Sequence, residues 1–91
     1  MYKNFEEFLE VFQQKTTEKI QSGLIDIGLL MTLTSEVIVL ADAAAHFEAL
    51  VTAMSERGFE TFDEKTLLMT KETNQKMQDT YASIIAVVDG V

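Results

Sequence analysis

Two acidic strings hold the residues in this chain whose types best suit chemistry. Glu6-Glu7-Phe8-Leu9-Glu10 is an EExxE pattern, and Glu60-Thr61-Phe62-Asp63 is an ExxD pattern. Carboxylates converging from neighbouring helices hold Mg²⁺ beside phosphate oxygens, the arrangement of metal-assisted phosphate hydrolysis. Glu60 and Asp63 straddle an expected helix start, however, so they do not share one helical face. His46 is the only histidine, with Asp42 one turn before it on the same helix face. The pair suits a histidine hydrogen-bonded to its neighbour. It also suits a pH-sensitive contact, because histidine is the side chain whose charge changes nearest neutrality. One imidazole without other strong ligands makes no zinc site, and no ExxH pair exists for a di-iron centre. Ser22, Ser35, Ser55 and Ser83 have no base partner other than His46 and lie in no nucleophile elbow. Gly23 to Gly28 lacks the third glycine and preceding strand of a phosphate loop. The sequence assigns no catalytic, cofactor or metal residue, and the chain reads as a non-enzyme.

Paired acidic motifs on neighbouring helices also mark the all-α nucleotide pyrophosphatases. Here the two strings lie much farther apart than in that family, and the chain is not assigned to it. A nucleotide or small-ligand binder, or a Mg-dependent hydrolase with its site between helices or subunits, stays as the alternative reading.

The elements that would position these residues are helices. Proline is absent, and three of the four glycines (Gly23, Gly58 and Gly90) fall where a helix would stop. The first helix is expected over 4–22, with Asn4 as N-cap and Glu7 completing a capping-box pattern. Phe5, Phe8, Leu9, Phe12, Thr16 and Ile20 recur at helical spacing and form its apolar face. The second is expected over 26–57 with Asp26 as cap, and Gly28, Thr32, Thr34 and Ser35 are weak points where it would bend or break. The third is expected over 62–89, from a capping box at Thr61-Phe62-Asp63-Glu64. Its face runs through Phe62, Thr66, Met69, Thr73, Met77, Tyr81, Ile84 and Val88. Val37–Leu40 and Ile84–Val88 are β-branched enough to leave an α+β alternative open. The expected fold is a single all-α domain over residues 1–91: an antiparallel helical hairpin with the N-terminal helix packed across it, as in a three-helix bundle.

From Leu24 to Ala41 the second helix carries only Asp26 and Glu36 as charges, and no lysine or arginine falls between Lys19 and Arg57. A helix apolar on every side must be buried on every side. Two neighbours cannot cover it, so a homo-oligomer is expected, with a two-fold dimer favoured and Leu29, Leu30, Leu33, Val37 and Leu40 as its interface. Ala41, Ala43, Ala44, Ala45, Ala49 and Ala53 leave room for another helix to approach closely.

Fifteen acids against seven bases give a formal charge of −8. No basic patch exists to bind nucleic acid or an anionic membrane. No uncharged run is longer than Ile27–Ser35, which is short of the roughly 20 residues a bilayer span needs. The lack of cysteine and of a signal-peptide pattern favours a reducing, cytoplasmic setting. The function expected is non-catalytic: a protein-binding adaptor, regulator or inhibitor. By analogy alone this suits a bacterial or phage-encoded inhibitor of a host enzyme. The alternative in a third class is a structural assembly subunit. Partner-binding candidates are the aromatic face Phe5, Phe8 and Phe12, read as a detachable amphipathic helix, and the acidic knot Glu56, Glu60, Asp63 and Glu64, read as a dock for a basic groove.

Overall fold

A computed structural model describes residues 1–91. It contains three α-helices and no strand: α1 (Phe5–Gln21), α2 (Ile27–Arg57) and α3 (Glu64–Asp89), with one short 3-10 turn at Phe59–Thr61. Val37–Leu40 and Ile84–Val88 are helical, so the α+β alternative falls. Tertiary packing overrides β-branched preference there, because Val37, Leu40, Ile84 and Val88 all face the core.

Each helix start has a local cause. Asn4 accepts from the Glu7 N–H at 2.9 Å, and Asp26 accepts from the Leu29 N–H at 2.8 Å. The third start departs from expectation. Thr61 does not cap α3; its hydroxyl donates back to the Gly58 carbonyl at 2.8 Å within the 3-10 turn. Asp63 is the cap instead, accepting from the Thr66 N–H at 2.8 Å, so α3 begins at Glu64 rather than at 62. The Asp63 carboxylate serves the cap that a Thr61 hydroxyl would serve two residues earlier.

α1 ends in a Schellman motif: Leu24 N–H donates to the Lys19 carbonyl and Gly23 N–H to the Ile20 carbonyl, with Gly23 at φ 71°. Gly58, at φ 90°, closes α2 in backbone that a side chain would strain. The helix does not break at the weak points Gly28, Thr32, Thr34 and Ser35. α2 is one unbroken helix of 31 residues, and the Thr32 hydroxyl bonds the Gly28 carbonyl at 3.1 Å, feeding the helix's own backbone.

α2 and α3 form an antiparallel hairpin in which residues near Val39 and Leu40 face Ile84 and Val87, and Met54 faces Thr70. α1 lies against one side of it, at the end away from the tip. Its N-terminus is fixed to both long helices. Glu48 accepts the Phe5 N–H at 2.8 Å, a carboxylate at a helix N-terminus. The Gln78 amide accepts from Tyr2 N–H at 3.0 Å and donates to the Tyr2 carbonyl at 2.7 Å. At the other end Lys15 pairs with Asp89 at 2.9 Å, and Lys19 donates to the Val91 carbonyl at 2.7 Å.

α1 is 17 residues long against 31 for α2. The rod, 52 × 18 × 18 Å, is therefore three helices thick over one part and two helices thick beyond Glu48. The core sits in the thicker part. Phe8 stacks on Tyr81 with ring centroids 4.6 Å apart, and Tyr2, Phe5 and Phe12 surround the pair. Leu33, Val37, Leu40, Ile84, Ile85 and Val88 complete it, with Ile25 closing the turn between α1 and α2.

Candidate interaction surface

The two acidic strings are not brought together. The first lies at the start of α1, level with Glu48. The second lies beyond the end of α2, nine residues or about 14 Å of helix farther on. No group of three or more His, Asp or Glu residues converges anywhere in the molecule.

The Asp42–His46 pair is exposed on the outer side of α2. The ring is held mainly by backbone: His46 Nδ1 lies 2.8 Å from the Asp42 carbonyl and 3.7 Å from its carboxylate.

The two surfaces expected from apolar residues both move. Leu33, Val37 and Leu40 are buried against the chain's own helices at 2, 7 and 8% exposure, and Leu29 and Leu30 are half-buried against the same cluster. They point toward α1 and α3 rather than to the exposed face of α2, so Leu33, Val37 and Leu40 belong to the chain's own core and Leu29 and Leu30 pack at its edge. Phe8 and Phe12 are likewise buried and Phe5 half-buried. The aromatic face of α1 is therefore the hub of the core rather than a free docking helix. The acidic knot lies where it is expected: Glu56, Glu60, Asp63 and Glu64 are all exposed at the hairpin tip. Beside them the Arg57 guanidinium sits over the Phe62 ring, 5.2 Å from its centroid. Asp63 is occupied as a helix cap, and its carboxyl is held below the usual carboxylate range. Hydrogen bonding by Thr66, from its hydroxyl first and then its backbone N–H, is the cause.

What the sequence reasoning misses is the opposite face of α2. Ile27, Met31, Ile38 and Val39 are 77, 65, 65 and 72% exposed, and Leu50 is 54% exposed. Between them lie exposed small residues: Ser35, Ala43, Ala45, Ala49 and Ala53. Ala44 alone among the alanines of this helix is fully buried, where the other helices meet α2. On the side of the hairpin away from α1, an open groove of ≈ 680 Å³ runs between α2 and α3. It is floored by Leu40 and Ile84 and edged by Val39 and Val87.

The surface total reflects the rod shape together with what is left uncovered. The chain exposes 6312 Å², whereas a compact monomer of 10.2 kDa is expected to expose about 5300 Å². The excess is about 1000 Å², and one partner in a standard protein interface buries about 800 Å².

α2 is also the one helix long and apolar enough, by length and composition, to cross a membrane, and only 22% of its most apolar 18-residue stretch is buried. Uncharged run length alone misses this property, because the run stops at Glu36 while the apolar character continues past it. The signal for the outer face is present in the alternation along α2. It needs the direction of the core to separate Leu33, Val37 and Leu40 from Met31, Ile38 and Val39. No family model, curated protein or solved structure matches this chain.

Proposed function

We propose that this chain is a non-catalytic association protein. It is a helical homo-oligomer, with a dimer favoured, that joins through the outer face of α2 and offers its acidic tips to a basic protein partner as an adaptor, regulator or inhibitor. The observation that carries this reading is the exposed apolar face of α2, together with a surface excess of the size one partner buries in a standard interface. Large exposed apolar patches mark interaction sites. The formal charge of −8 favours basic partners and speeds encounter with them.

Sedimentation equilibrium on the wild type and on Ile38→Asp tests it. Ile38 is exposed, so the variant keeps its helical circular dichroism. The wild type is expected at about twice 10.2 kDa and the variant at the monomer mass. A wild-type monomer up to millimolar concentration ends the self-association reading. Co-flotation of the folded protein with neutral phosphatidylcholine vesicles would assign the same face to lipid instead. Asp42 on that face opposes such insertion, since a carboxylate at the bilayer centre costs about 2.5–3.5 kcal/mol on insertion scales.

A further inference from the structure

We infer that the occupant of the outer face of α2 is the same face of a second copy, packed antiparallel about a two-fold axis that passes level with residue 44. This rests on the self-association proposed above and adds its direction and register. The exposed line along α2 repeats at alternating steps of three and four residues: Ser35, Val39, Asp42, His46, Ala49 and Ala53, all exposed. That is the spacing of a two-helix seam, in which each residue fits between residues of the facing helix. The line is rich in small side chains, so two backbones can approach closely along it. The charged or titratable groups in its middle are Asp42 and His46, one turn apart and 81 and 79% exposed at their side chains, and the same spacing next reaches Glu56 at the tip.

This pair decides among the possible arrangements. A parallel pairing sets Asp42 against Asp42 and His46 against His46, and apposing like charges across an interface is unfavourable. An antiparallel pairing centred on Asp42, the middle of Ile27–Arg57, again opposes the two carboxylates. Moving the axis to the level of residue 44 sets each Asp42 against His46 of the other copy. Seam registers shifted by one further heptad step, either way, leave both groups facing alanine, valine or serine.

The same register places the rest of the seam in matched pairs. Val39 faces Ala49, large against small, and Ser35 faces Ala53. On one flank Ile38 lies beside Ala45 and Thr52 of the second copy, and on the other flank Leu50 lies beside Ala43 and Glu36. Near the ends Met31 meets the Arg57 end of the second copy, where Phe59 is 42% exposed. Nearly the whole length of α2 is used, and each acidic tip lies beside the base of the other copy. The two tips then stand about 50 Å apart at opposite ends, at 1.5 Å rise per residue. Such a dimer would hold two basic sites at that separation.

The test uses the absence of cysteine. Val39→Cys and Ala49→Cys are made as separate single variants, both at exposed positions, and distinguished by a mass label. They are mixed and oxidised. The expected result is a shift to a two-chain species that joins position 39 of one copy to position 49 of the other, with each variant alone staying largely unlinked. Links of 39 to 39 and 49 to 49 overturn the antiparallel register while leaving self-association standing. Wild-type protein that sediments as a monomer up to millimolar concentration overturns both.

Discussion

The end of the rod that α1 covers and the tip that it does not reach are built from the same two helices, yet they are held in different ways. In the covered end, Phe8, Leu33, Tyr81 and Val88 are almost wholly buried, and three further aromatic rings, Tyr2, Phe5 and Phe12, pack around the stacked Phe8 and Tyr81. At the tip Met54 is the only buried side chain beyond Glu48 on α2. Beside it on α3 lie Thr66, Met69, Thr70 and Thr73, and the single Thr70 hydroxyl proton is shared between the Met54 sulfur at 3.7 Å and the Thr66 carbonyl at 2.9 Å. Two helices alone cannot enclose a core, because each keeps most of its circumference in water. A third helix converts a seam into an interior. The two ends should therefore differ in stability, in exchange and in their response to pH.

The largest expected effect is at the hub. Phe8→Ala removes the ring that contacts Tyr2, Phe5, Phe12 and Tyr81, and such substitutions cost about 3–5 kcal/mol. That is a large share of the roughly 5–15 kcal/mol a domain holds, so urea denaturation should find the midpoint of the variant sharply lowered. Met54→Ala should cost less, about 2 kcal/mol, the low end for Met truncation, because half-exposed neighbours can close on the gap. Its signature is local. Hydrogen exchange should speed at the amides of 50–57 and 64–73 and change little around Phe8 and Tyr81. If Met54→Ala instead loosened all three helices equally, the two ends would be one cooperative unit and the contrast would be lost.

Much of this division is legible in the amino-acid sequence. Asn4, Asp26, Gly23 and Gly58 mark their helix ends by chemistry that acts within a few residues, and the helices end there. The stripe of α1 announces Phe8, Phe12 and Thr16 as inward-facing. The third helix is less legible. Its expected face passes through Met69 and Thr73, which are exposed, and omits Ile85, which is buried. A single periodic stripe assumes one face for the whole helix, whereas α3 has two neighbours near Tyr81 and one near Met69. The face it buries changes where α1 stops. The interface assigned to Leu33, Val37 and Leu40 fails for a related reason. On a helix apolar all round, hydrophobicity says that something is covered but not which side the chain covers for itself. Leu33→Asp would unfold the monomer, so Ile38 is the residue that separates folding from association.

A smaller effect should come from the strap that ties the N-terminus to α3. Gln78→Ala removes two hydrogen bonds to the Tyr2 backbone. At the usual 0.5–1.5 kcal/mol per bond, partly replaced by water, the expected loss is about 1 kcal/mol. Thermal denaturation should show a modest drop in midpoint, and exchange should quicken at residues 5–8 rather than at the tip. A strap that merely decorates the surface would leave both unchanged.

The smallest effects are those of pH, and their direction separates the two ends. The Asp63 carboxyl at the tip is held below its ordinary range by Thr66. It contributes stability that is present above about pH 4 and is lost as pH falls through its lowered value. The covered end carries the opposite dependence. The Lys15 ammonium is held up by its hydrogen bond to Asp89 and then by the charge of Asp89, and the Tyr81 phenol is held up by burial and then by the charge of Glu48. Both contributions are complete below about pH 10 and are lost as pH rises through the raised values. Acid should therefore fray the start of α3 first, and alkali should loosen α1 from α3 first. Methyl resonances of Met54 and ring resonances of Tyr81 report on the two ends separately. In a titration from neutrality, Met54 should move first on the acid side and Tyr81 first on the alkaline side. The reverse order would show that the tip and the covered end share one electrostatic response, whatever their difference in packing.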